Sequence, residues 1–127
     1  MIQRYRSDAT KAMNLPYSDA VRVGNFLYLS GQLGNRPGTV ELVPGGIRDE
    51  ARQTLANVRS ILEANGASLA GVVKCTVFLA DIAEWSAFNH VYREYFGENL
   101  PARSAFGVAG LALGARVELE CIAVVGA

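Results

Sequence analysis

Residues 72–80 read VVKCTVFLA, and their reading decides the fold. The run is apolar at nearly every position and too short for an ordinary buried helix. It therefore predicts a strand covered on both faces, as in a sheet with helices on one side and something else on the other. On its N-terminal side, 47–65 carries Ala51, Leu55, Val58 and Leu62 at alternating steps of four and three, the stripe of an amphipathic helix. Asp49 and Glu50 occupy its favourable first turn, and Asn65-Gly66 supplies the stop. On its C-terminal side, Asp81 and Glu84 have capping-box spacing ahead of a second helix. The stripe of that helix is Trp85, Phe88, Tyr92 and then Tyr95 or Phe96, with Gly97 as its end.

Further out, AVRVGNFLYLSGQL (20–33) is a pair of strand-like runs about Gly24-Asn25, a hairpin signal. A Gly/Pro-rich loop follows, with a short strand near Val40–Leu42 as an option. ARSAFGVA and RVELECIAVV close the chain as two strands about the turn GLALG (110–114). The predicted order is β-β-(β)-α-β-α-β-β: an α+β fold, one domain over 1–127, with two helices on one face of a mixed sheet. Right-handed crossovers put both helices on the same side. The other face then needs a cover, and a second copy of the chain is the predicted one. Clefts between copies become the natural places for a site. A monomer at micromolar concentration in ultracentrifugation would contradict this.

The composition narrows the function. Half of the 127 residues are hydrophobic and 19% are charged, with 12 basic against 12 acidic side chains. A neutral chain without a Lys/Arg run lacks the electrostatic footprint of a nucleic-acid binder. No stretch reaches the ~18 consecutive apolar residues of a membrane span. The N-terminus MIQRYRSDAT has no apolar signal core, which predicts a cytoplasmic protein. Cys75 and Cys121 lie inside strand-like runs and read as small core residues. A metal or redox pair would want CxxC or neighbouring histidines, and His90 is the only histidine. No metal and no cofactor are expected. Ser30-Gly31 lacks the nucleophile-elbow pattern and a histidine partner. GVAGLALG matches neither a phosphate loop nor a dinucleotide turn.

Three groups remain as candidate chemistry. Arg103, in LPARSAF, opens an apolar stretch with no acid beside it. It either pairs with Glu118 or Glu120, or forms a two-pronged grip on a ligand carboxylate. Glu118 and Glu120 share one strand face with Ile122 and Val124. They are either a polar strand end or a place where one carboxylate orients a water. Tyr17, after Pro16, is either a packing anchor or an acid.

The segments PYSDAVRVGNFLYLSGQLG, GGIRDEARQTLANVRSILEANGASL, VVKCTVFLADI with FNHVYREYFG, and PARSAF with GARVELECIA resemble the Rid family of imine/enamine deaminases. The likeness runs from about Pro16 to Val125, and PARSA with VELE fifteen residues on is its most specific part. It implies a chorismate mutase-like fold, a homotrimer with active sites between subunits, and cofactor-independent hydrolysis of 2-imino acids. Substrates such as 2-iminobutanoate and 2-iminopropanoate would give 2-oxo acids and ammonia. It further implies that Arg103 binds the substrate carboxylate, Glu118 positions the water, and Tyr17 reaches the pocket. Ser30 and Gly31 would line that pocket, and Ala105 would offer a backbone carbonyl where some members have cysteine. Phe106-Gly107 and the proline-free GLALG turn depart from the family pattern and bear on side-chain preference. The rival readings are a non-catalytic carboxylate-binding module, a deaminase dedicated to aminoacrylate- or aminomuconate-type substrates, and RNA cleavage. The neutral charge and single histidine weigh against the last.

Overall fold

The computed structural model describes all residues 1–127. Six strands form one mixed sheet: β1 (Ile2–Tyr5), β2 (Ala20–Val23), β3 (Phe26–Gln32), β4 (Val72–Leu79), β5 (Ala102–Gly107) and β6 (Val117–Val124). Their spatial order is β1-β2-β3-β6-β4-β5, with β4 and β5 parallel and every other pair antiparallel. The helices are α1 (Asp8–Ala12), α2 (Ile47–Ala64) and α3 (Trp85–Phe96). The architecture is the α+β arrangement expected. α2 and α3 pack side by side on one sheet face and bury Leu55, Val58, Leu62, Phe88 and Val91 completely. From the sheet they meet Cys75, Val77, Leu79, Val117 and Leu119, each with no exposed surface. Emptying one such position, as in Phe88→Ala, costs about 3–5 kcal/mol.

β4 is interior to the sheet, as its apolar run requires, but a single chain covers only one of its faces. Cys75, Val77 and Leu79 are buried, whereas Lys74, Thr76 and Phe78 on the other face stay partly exposed. A register irregularity after Val72 re-phases the strand and turns Val73 outward. The uncovered face is half apolar. Phe26, Tyr28 and Phe106 are each about half exposed there, and the Phe78 and Phe106 rings lie 6.3 Å apart.

Other details correct the expectation. β1 and α1 were not foreseen, and residues 40–42 form no strand, only an isolated bridge between Asn35 and Leu42. The Asp81 carboxylate accepts from Ala83 N, but it caps a 3₁₀ turn over Ile82–Glu84 rather than α3. Glu84 does not reach back to close a capping box; it takes the Arg116 guanidinium at 2.8 Å. α3 consequently starts at Trp85, which is 45% exposed, and its buried stripe is Phe88, Val91, Tyr92 and Phe96.

Candidate active site

Four of the predicted site residues come together on one side of the molecule. Tyr17, Ser30, Gly31 and Glu118 line a cleft of ≈ 980 Å³. The irregularity in β3 builds it. Leu29 pairs with Cys121 and Gln32 with Leu119, so Ser30 and Gly31 together oppose the single residue Glu120. Such a bulge bends the strand and re-aims its neighbours. Here it clears the space into which Glu118 points: a Cβ on Gly31 would collide with the Glu118 carboxylate. Only glycine leaves that space open.

The Glu118 carboxylate has no ion-pair or hydrogen-bond partner in the chain. Burial raises its pKa above the ordinary glutamate value, and the neighbouring charge of Glu120 adds to the rise. Burial likewise raises the Tyr17 phenol, followed by the charges of Asp19 and Glu118. Tyr17 is therefore a protonated phenol at neutral pH, and the shift at Glu118 likewise favours its protonated form. The Ser30 hydroxyl is committed elsewhere, donating to Ser18 O at 2.6 Å. It shapes the cleft rather than serving as a nucleophile.

Arg103 lies elsewhere. It sits beside Cys75 on the parallel neighbour of β4, so its side chain leaves the sheet toward the helices. Its guanidinium carbon stands 4.7 Å from the Tyr92 ring centre, 5.8 Å from Trp85 and 5.9 Å from Phe88. This aromatic platform attracts the cation through the ring faces and leaves its N–H donors unspent. The ion pair with Glu118 or Glu120 that the sequence left open does not form. Arg103 belongs instead to a smaller cleft with Trp85, Asn89, Tyr92, Leu100 and Pro101. Buried beside it, Asn89 Oδ1 has no hydrogen-bond partner, and Tyr92 OH has none but the Cys75 thiol, a weak one. Buried orphans of this kind need explaining, because each carries a desolvation cost. Ala105, on the same face of β5, packs against the core and lines neither cleft.

Asn89 and Tyr92 were not singled out for chemistry from the sequence. No local pattern marks them, because their role follows from β5 lying against α3. Cys75 and Cys121 are directly paired across β4 and β6 as free, buried thiols. Burial pushes the Cys75 thiol up to about 11, which makes it unreactive at neutral pH.

One chain thus carries two separate clefts, one with Glu118 and one with Arg103. Glu118 is in register with Phe78 and Arg103 with Cys75, so they face opposite sides of the sheet. β4 lies between them.

The family described as Endoribonuclease L-PSP matches residues 7–125. A goat (Capra hircus) protein named 2-iminobutanoate/2-iminopropanoate deaminase is 53% identical over 111 residues, 87% of this chain and 81% of the relative. A solved yeast structure, YEO7, superposes with a TM-score of 0.91 at 41% identity, covering 98% of this chain and 99% of that one. RidA from the Antarctic bacterium Psychrobacter sp. PAMC 21119 gives a TM-score of 0.88, also at 41% identity, over 97% and 99%. No helix is long and apolar enough to cross a membrane. With nearly the whole length matched in both sequence and fold, the chain belongs to the Endoribonuclease L-PSP family, the Rid proteins among which RidA stands.

Proposed function

We infer that the protein is a 2-iminobutanoate/2-iminopropanoate deaminase, converting a 2-imino acid and water to a 2-oxo acid and ammonia. The observation that carries this reading is Arg103: a guanidinium held among aromatic rings, free of any acid, beside the unpartnered Asn89 Oδ1. A planar carboxylate fits that fork through two parallel hydrogen bonds. Gripping it fixes the adjacent C=N carbon, so binding becomes orientation.

Glu118 supplies the other half. Its partner-free carboxylate accepts a hydrogen bond from a water and aims the oxygen lone pair at the imine carbon. As the C–O bond forms, the C=N π pair moves to nitrogen and the water proton passes through Glu118 toward that nitrogen. The tetrahedral amino alcohol then passes its hydroxyl proton to the amine, the oxygen lone pair forms the C=O bond as the C–N bond breaks, and ammonia leaves with the C–N pair. Tyr17, kept protonated, closes the cleft and has a proton to lend. No single chain brings both halves to one substrate, so we place the active site between copies in a homotrimer, Arg103 from one and Glu118 from the next. The half-apolar sheet face is the surface such copies would cover. We place the enzyme in the cytoplasm, where thiols as close as Cys75 and Cys121 stay reduced.

The test is Arg103→Lys, assayed for oxo-acid release with the imine generated in situ. Lysine keeps the charge and loses the fork. The expected result is near-complete loss of hydrolysis with the oligomer intact. Full activity, or a collapsed oligomer, would overturn the reading.

A further inference from the structure

Tyr17 sits on a stretch, 13–19, that belongs to no helix or strand, and the residue is 47% exposed. A tyrosine so placed has little of its own to hold it. The backbone around it, however, is tied at almost every residue. Arg6 Nη2 donates to Leu15 O at 2.7 Å, and Arg6 Nε donates to Tyr17 O at 3.3 Å. Leu15 N donates to Thr10 O at 3.1 Å. Ser18 O accepts from Ser30 Oγ, and Asp19 O accepts from Ser30 N at 3.0 Å.

The Asp19 side chain completes the strap. It is 7% exposed, accepts from Ser7 N at 2.7 Å and from Thr10 Oγ1 at 2.9 Å, and has no ion-pair partner. Ser7 Oγ in turn donates to Thr10 Oγ1 at 3.0 Å. A buried carboxylate without a counter-ion is a costly way to staple a segment. It is also superfluous for that purpose. β1 is already laddered to β2 from Ile2↔Val23 to Tyr5↔Ala20, and Asp19 N donates to Tyr5 O at 2.9 Å. What the charged group adds is a fixed path for the residues just before it. It hangs the 6–10 turn and the 15–19 loop from one point, two residues from Tyr17.

We propose that Asp19, acting with Arg6, is a positioning residue that holds the Tyr17 phenol in the Glu118 cleft. The proposal rests on the reading of Tyr17 as part of the active site. It assigns a catalytic purpose to the N-terminal β1–α1 segment, which otherwise looks like a decoration on the sheet edge. The negative charge of Asp19 also helps keep the phenol protonated.

A double-mutant cycle on the full oligomer tests it, because residues acting as one unit are non-additive. Tyr17→Phe comes first and is expected to slow turnover. Asp19→Ala is expected to lower kcat on the order of ten- to a hundredfold, with a smaller change in KM. Adding Asp19→Ala to Tyr17→Phe should cost nothing more, and Asp19→Asn, which keeps an acceptor for Ser7 N, should recover most of the rate. An equal loss in both backgrounds would mean a structural role and overturn the proposal, as would no loss in either. An unaffected Tyr17→Phe enzyme would overturn it together with the role of Tyr17, and is recognisable by that control. If Asp19→Ala does not fold, Arg6→Met carries the same cycle with the same expected non-additivity.

Discussion

Glu118 shows what the site costs the fold. Its carboxyl pKa is raised in the folded chain by burial and by Glu120. A raised folded pKa means that the native state prefers the protonated form. The ionised form therefore destabilises the protein at neutral pH, and that penalty disappears as pH falls below the unfolded glutamate value. Glu118→Gln removes the charge at nearly constant shape. It should raise the melting temperature at pH 7, and the gain over wild type should shrink toward zero below about pH 4. Its kcat should fall more than its affinity for a stable 2-oxo acid. Such an exchange of stability for activity is the pattern of an active-site group. A lower melting temperature at pH 7, followed by differential scanning calorimetry, would mark Glu118 as a structural residue instead. Arg103 is the complementary case. The sequence shows that no acid adjoins it, but not that it lies on three aromatic rings, because Trp85, Phe88 and Tyr92 reach it only through the fold.

Elements were legible where one face is buried. α2 was readable from its stripe to within a residue of its end, and β4 and β6 from their apolar runs. β1 was not, because Ile2–Tyr5 is an edge strand with almost every residue exposed and so has no alternation to read. The five-residue α1 is too short to carry a period. Trp85 was misread for a different reason. The capping motif starts a 3₁₀ turn, which shifts the phase of α3 and leaves the ring outside its core stripe. The bulge in β3 is illegible in principle, since it exists only relative to its partner β6. Its consequence is nonetheless sharp. Gly31→Ala places a methyl where the Glu118 carboxylate lies, and overpacking of this kind costs about 1–3 kcal/mol. The flexible side chain is what gives way, so the fold should survive while Glu118 is displaced. Imine hydrolysis should drop on the order of a hundredfold, with an unchanged far-ultraviolet circular dichroism spectrum. Retained activity would show that Glu118 has room to spare.

At the scale of the whole molecule, the arrangement of the two half-sites matters more than any single residue. The sequence supplied Arg103 and Glu118 fifteen positions apart, and resemblance supplied their roles. Only the register of β5 and β6 against β4 shows that they point to opposite faces of one sheet. Two strand spacings, about 10 Å, also separate them along the sheet. A single chain therefore has no way to clasp a small imino acid with both. The proposed assembly gives a result that a one-chain site does not. Arg103→Ala and Glu118→Gln are each expected to be inactive as pure oligomers. When equal amounts are unfolded together and refolded, every site draws its arginine half from one copy and its glutamate half from the next. A site is whole only when the first copy is the Glu118 variant and the second the Arg103 variant, so random mixing restores about a quarter of wild-type activity. Mixing the folded oligomers without dissociation should restore none. Were both halves taken from the same chain, each copy would stay defective and co-refolding would recover nothing.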